Sequence, residues 1–213
     1  MPAVKFCGLR RAEDAAEAVR LGASYVGVIF AAGPRLVTVE EARAVLAATR
    51  DADHVRRVGV FGAETPAAIA RVVADVGLDV VQLSADPDAE TVDAVRAATG
   101  VEVWAAVRCT TEFPPSASAL FAHADAVLVD TKVDGQLGGT GRTLPWDDLA
   151  PALRAVRTSG ARLVLAGGLA PDNVRRAIEA MAPDVVDVSS GVETAPGIKD
   201  HERMRAFVKA IHS

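Results

Sequence analysis

A thiol closes one extended run of this chain and a carboxylate closes another. In AVKFCGLR the run stops on Cys7 and a glycine follows at once, and in AVLVDTK it stops on Asp130. Free cysteine is among the most buried residue types, so Cys7 on its own reads as a small hydrophobe before a turn. Asp130 on its own reads as a cap for the loop that follows. In one pocket the two become a base and an acid that can flank a substrate, which is what a proton-transfer isomerisation requires. Side chains alternate along a strand, so Lys5 shares a face with Cys7. If that face points inward, an ammonium lies beneath the thiol and lowers its pKa from the reference value of about 8.5. The alternative for Lys5 is burial in the floor of the fold to pair with an acid.

Glycine-rich turns supply a second kind of chemistry. LAGGL places Gly167 and Gly168 after one apolar run, and DVSSGVE places Ser189, Ser190 and Gly191 after the next. Glycines let a backbone approach a ligand, and a short helix starting after Ser190 would aim its N–H groups at an anion such as phosphate. GQLGGTGRT, residues 135–143, predicts a flap after Asp130. It lacks the GK[ST] ending of a nucleotide-binding P-loop. VIFAAGPRLVT presents Arg35 in a loop stiffened by Pro34, and the planar guanidinium fork suits a carboxylate. Together these parts describe a substrate with a phosphate at one end and a carboxylate at the other.

The elements that must position these groups alternate in kind. Eight short extended runs begin at Ala3, Ser24, Val55, Asp79, Val101, Ala126, Arg162 and Asp184, separated by alanine-rich stretches of helical period. Thr38 and Asp88 cap helix starts, and Gly22, Gly77, Gly100 and Gly160 follow helix ends. Eight βα units predict an α/β fold, a (β/α)8 TIM barrel forming one domain over residues 1–213. The weakest helix is SASALFAHA, before the sixth strand. A doubly wound open sheet is the competing architecture, but the first turn, CGLRRAED, carries no GxGxxG fingerprint. In a barrel the active site forms at the strand C-termini, with phosphate after the seventh and eighth strands. Cys7, Arg35, Asp130 and the glycine turns all fall there.

Composition narrows the partners. Of 213 residues, 50% are hydrophobic and 4% aromatic, and the formal net charge is −5, so neither stacking platforms nor a basic footprint for nucleic acid is present. Cys7 and Cys109 are far apart in a chain without a charged-then-apolar leader, which suggests free thiols in a reducing cytoplasm. No apolar stretch approaches the roughly 18 residues of a membrane span, so a soluble protein is expected.

The motifs KFCGLRRAEDA, GVIFAAGPRLVT, VGVF, LDVVQL, LVDTK, GGTGRTLPW, LAGGLAPDNV and DVSSGVETAPGIKD run along almost the whole chain in this order. In that order they resemble the phosphoribosylanthranilate isomerase family of tryptophan biosynthesis. The resemblance implies a cytoplasmic enzyme performing a cofactor-free, metal-free Amadori rearrangement of N-(5-phosphoribosyl)anthranilate to 1-(2-carboxyphenylamino)-1-deoxyribulose 5-phosphate. It implies Asp130 as general acid and Cys7 as general base, Arg35 on the anthranilate carboxylate, and Gly167, Gly168, Ser189, Ser190 and Gly191 around the phosphate. Its partner is then a small phosphosugar, with the chain a monomer or homodimer. One departure stands out: where the family reads QLHG this chain reads QLSA, so Ser84 replaces a histidine on the face shared with Gln82. Arg10 stands where the family often has threonine. Alternatives remain at this point: a phosphosugar-binding barrel without catalysis, a divergent phosphoribosyl isomerase with altered substrate range, and the analogous phosphoribosyl isomerase of histidine biosynthesis. The last family uses an aspartate as its strand-one base and needs a second anion site.

Overall fold

The computed structural model describes residues 1–110, 112–131, 145–157 and 160–212. Eight strands, β1 (Ala3–Phe6), β2 (Tyr25–Ile29), β3 (Arg56–Phe61), β4 (Val80–Leu83), β5 (Glu102–Cys109), β6 (Ala126–Thr131), β7 (Arg162–Leu165) and β8 (Val185–Val188), pair in parallel in sequence order. β1 also pairs with β8, which closes the barrel. Between and after the strands lie α1 (Ala12–Arg20), α2 (Val39–Leu46), α3 (Pro66–Val76), α4 (Ala89–Thr99), α5 (Ala117–His123), α6 (Trp146–Val156), α7 (Val174–Met181) and α8 (His201–His212). The fold is the (β/α)8 barrel that the repeat pattern predicts. No described helix is long and apolar enough to cross a membrane.

Local chemistry explains the boundaries. Thr38 and Glu41 form a reciprocal capping box on α2, and Thr65 and Asp88 cap α3 and α4 through their side-chain oxygens. Each such cap contributes about 1 kcal/mol. Gly77 and Gly100 end α3 and α4 in the left-handed conformation. Two features escape the sequence pattern. β5 runs to Cys109, beyond its apolar core, because Arg108 continues the ladder opposite Asp130 in β6. A small hairpin, β9 (Glu193–Ala195) and β10 (Ile198–Lys199), follows β8, and its polar residues give no strand signal.

Strand alternation divides the core in two. Phe6, Val26, Val81, Val103, Val127 and Leu163 face the helices in one large apolar cluster. Tyr25, Val58, Val80, Trp104, Leu128, Val164 and Val185 face inward in another. At the strand N-termini the interior is shut by Glu102, which is bound by Arg56 and Arg162 and accepts from the Trp104 indole at 2.5 Å. With the floor sealed, the inward residues at the other end open onto a cavity.

Above β7 and β8 the loops pack backbone against backbone. A Cβ placed on Gly191 would lie 1.9 Å from the Leu169 carbonyl oxygen, a contact no side chain can relieve. Gly191→Ala should therefore cost about 2 kcal/mol or more, as overpacking does. A urea denaturation curve checks this, and an unchanged midpoint would show that the two loops separate freely.

Candidate active site

At the strand ends the residues singled out by type come together, with the exception of Gly191, which packs against the Leu169 backbone and does not line the cavity. Cys7 follows β1, Ser84 follows β4, Asp130 lies at the end of β6, Gly167 and Gly168 follow β7, and Ser189 and Ser190 follow β8. All of them line one cavity of about 550 Å³, together with Arg35 from the loop after β2. The segment 135–143, expected as a flap, lies outside the described residues.

Around Cys7 the structure combines the two readings of Lys5. Lys5 does sit below the thiol, fully buried, but its ammonium donates to Asp187 Oδ2 at 2.8 Å and to Gln82 Oε1 at 2.9 Å. The lysine is thus a buried partner of an acid as well as a neighbour of the thiol. Burial pushes the Lys5 pKa down, yet Asp187 and Cys7 more than offset this and hold it above the ordinary value. For Cys7, burial is the largest effect and pushes the thiol up, Lys5 and Lys199 pull it down, and Asp187 pushes it up again. The net result is a thiol above its ordinary range, because burial outweighs the two lysines and Asp187 adds to it. Room for this arrangement comes from β2, where a Cβ on Gly27 would stand 3.1 Å from the Cys7 sulfur and 3.4 Å from Lys5 Cε.

Arg35 is also engaged before any ligand arrives. Its Nε and Nη2 donate to the Glu193 carboxylate at 2.9 and 2.7 Å. Its side chain lies across Gly8, whose φ of +72° and lack of a Cβ allow the crossing. Burial pushes Glu193 up, but Arg35 and Lys199 outweigh it and hold the carboxyl below its usual range. The hairpin carrying Glu193 is thus part of the site. Sequence reasoning missed Glu193, Lys199 and Asp187 because each lies in a motif whose glycines and serines drew attention first.

At the proposed anion site, Gly167 and Gly168 both adopt positive φ, +84° and +66°. Asn173 braces this turn, donating to the Gly168 carbonyl and accepting from the Ala170 N–H, both at 2.9 Å. The expected helix after Ser190 is a single 3-10 turn, Ser190–Val192, too short to act through a helix dipole. Ser189 Oγ and Asp187 Oδ1 are buried without a hydrogen-bond partner among the described residues. Buried polar atoms are rarely left so. Both residues line the cavity, so a polar ligand could satisfy these atoms. On the opposite wall, Ser84 Oγ accepts from Gln82 Nε2 at 3.0 Å, which extends the Lys5 network to the position where a histidine was expected. Arg108, bound bidentately to Asp86, lines the same wall beside Asp130.

Comparison with known proteins gives this geometry a context. Residues 4–210 match the family model described as N-(5'-phosphoribosyl)anthranilate (PRA) isomerase. An N-(5'-phosphoribosyl)anthranilate isomerase of Rubrobacter xylanophilus is 42% identical over 214 residues, covering 100% of both chains. A monomeric form of the dimeric phosphoribosylanthranilate isomerase of Thermotoga maritima is 36% identical, with a TM-score of 0.81 and coverage of 100% of this chain and 99% of that one. A phosphoribosylanthranilate isomerase solved with reduced 1-(o-carboxyphenylamino)-1-deoxyribulose 5-phosphate is 34% identical, with a TM-score of 0.83 over 100% of this chain and 99% of that one.

The Lys5–Asp187 pair should behave as one unit. Breaking a buried pair leaves an uncompensated charge and costs about 3–5 kcal/mol, whereas replacing both ions costs far less than the sum. Urea denaturation of Lys5→Met, Asp187→Leu and the double variant measures the coupling. Strictly additive losses would show that the two charges are independently solvated.

Proposed function

The chain belongs to the N-(5'-phosphoribosyl)anthranilate isomerase family, and we propose that it performs the family's Amadori rearrangement with Cys7 as base and Asp130 as acid. It is an isomerase of tryptophan biosynthesis. In the proposed reaction Asp130 gives its proton to the furanose ring oxygen while the anthranilate nitrogen lone pair expels that oxygen from C1, leaving a protonated Schiff base. The Cys7 thiolate then removes the proton from C2, and those electrons neutralise the iminium to form an enolamine. Protonation at C1 and loss of the hydroxyl proton at C2 yield the ketone. No electrons leave the substrate, so the rearrangement balances with proton transfers alone.

The observation that carries this reading is that Cys7, just past β1, and Asp130, at the end of β6, line one cavity whose remaining wall groups suit the substrate's two ends. The paired glycines and Ser189 Oγ fit a phosphate. Arg35 fits the carboxylate through Nη1, since Nε and Nη2 are held by Glu193. Asp187 Oδ1 is an acceptor available to a sugar hydroxyl. A base above the ordinary thiol range is strong once ionised but sparse at neutral pH. Hence kcat/KM should rise with pH through the Cys7 pKa.

Cys7→Ala and Asp130→Asn should each lose about 10²–10⁴ in turnover while still binding a reduced product analogue. Steady-state kinetics and analogue titration of both variants check this. Near-native turnover in either would remove that residue from the mechanism. Analogue binding lost in step with activity would make it a binding residue instead.

A further inference from the structure

Lys199 has no assigned part in the proposed reaction, yet its side chain is fully buried against the backbone of the proposed base. Its ammonium has three donors and meets three acceptors. These are the Cys7 carbonyl at 2.6 Å, the Ser189 carbonyl at 3.1 Å and Glu193 Oε1 at 2.8 Å. The first acceptor belongs to the base, the second to the turn proposed to hold phosphate, and the third to the carboxylate that fixes Arg35. An isolated buried ammonium is costly, and burial pushes the Lys199 pKa down despite its carboxylate partner. An arginine or a water could stitch loops together on the surface without that cost, so a fully buried lysine here calls for a second reason.

The charges around the sulfur supply one. Cys7 is faced by Lys5 from β1, Asp187 from β8, Arg35 from the loop after β2 and Lys199 from β10, with Glu193 of β9 behind the last two. Lys5 and Asp187 offset one another at 2.8 Å. On the other side two cations share the single carboxylate of Glu193. Three cations against two anions leave one positive charge about the thiol, and Lys199 tips that balance.

We infer that Lys199 is a positioning residue for the proposed base: its ammonium fixes the Cys7 backbone against the phosphate turn and provides the surplus positive charge in which the thiolate forms. The inference rests on the reading of Cys7 as base. It makes two signed claims. Lys199→Met removes the surplus, so the thiolate becomes harder to form. Glu193→Gln keeps a hydrogen-bonding side chain of the same shape but raises the surplus, so the thiolate becomes easier to form.

The test is the pH dependence of iodoacetamide alkylation at Cys7 in the ligand-free protein, read by peptide mass spectrometry so that Cys109 is counted separately. The alkylation midpoint should rise by about one pH unit in Lys199→Met and fall in Glu193→Gln, the scale expected for a charge lost within a few ångströms. Turnover of Lys199→Met should fall about tenfold or more through kcat, with the acid limb of the pH profile displaced the same way. Should Lys199→Met fail to accumulate folded, Glu193→Gln and the charge-keeping Lys199→Arg carry the test, the latter with a near-native midpoint. Midpoints that stay in place, or move in the same direction in Lys199→Met and Glu193→Gln, would overturn the inference and leave Lys199 a structural tie. Native turnover in Cys7→Ala would instead overturn the base assignment on which it rests.

Discussion

A charged pair in the middle of the barrel is the constraint around which this protein is arranged. Lys5 and Asp187 are register partners on the adjacent strands β1 and β8, and closure of the sheet forces their side chains to share the interior. Taking both ions out of water costs several kcal/mol apiece unless partners replace the lost hydration. Gln82 supplies one partner, the face of Trp104 lies 5.8 Å from the ammonium, and Gly27 leaves the space. A purely apolar barrel centre would be easier to stabilise. The ionic layer instead gives the cavity above it a polar floor, with one carboxylate oxygen unpartnered among the described residues.

The same logic recurs at the rim. Glu193 gathers Arg35, Lys199 and the Gly197 N–H around one carboxylate, and Lys199 in turn holds the carbonyls that end β1 and β8. The loops around Cys7 are therefore fixed by buried charge-assisted hydrogen bonds rather than by apolar contact alone. Such preorganisation suits proton transfer, where small displacements of the base from the carbon acid cost rate. It also means that an anionic substrate would meet Arg35 as part of a protein ion pair, with less net attraction than a lone guanidinium has.

Much of this architecture was legible from the chain. The eight alternating runs, the caps at Thr38 and Asp88 and the glycine ends at Gly77 and Gly100 are local signals, and local signals survive folding. The position of Cys7 and Asp130 at strand ends was equally local, and the barrel rule turned it into a shared cavity. Pairings between distant residues were not legible. Glu193 and Arg35 are separated by 158 positions and Lys5 and Asp187 by 182, so nothing in either segment names its partner. Lys5 does pull the Cys7 thiol down as expected, but burial, which no local signal reports, outweighs it, and the distant Asp187 adds to the rise. β9 and β10 were missed because two short polar strands carry no period, only a turn glycine at Gly197.

The central claim is that the Cys7 sulfur removes the proton from C2 of the open-chain intermediate. Single-turnover rates with substrate carrying deuterium at C2 test it most directly, in the native protein and in Cys7→Ser. With a hydroxyl replacing the thiol as base, C–H cleavage should become wholly limiting. The account predicts a much slower reaction with a primary isotope effect larger than the native one. A Cys7→Ser protein with native rate and an unchanged isotope effect would contradict it, because the proton would then be leaving to some other group.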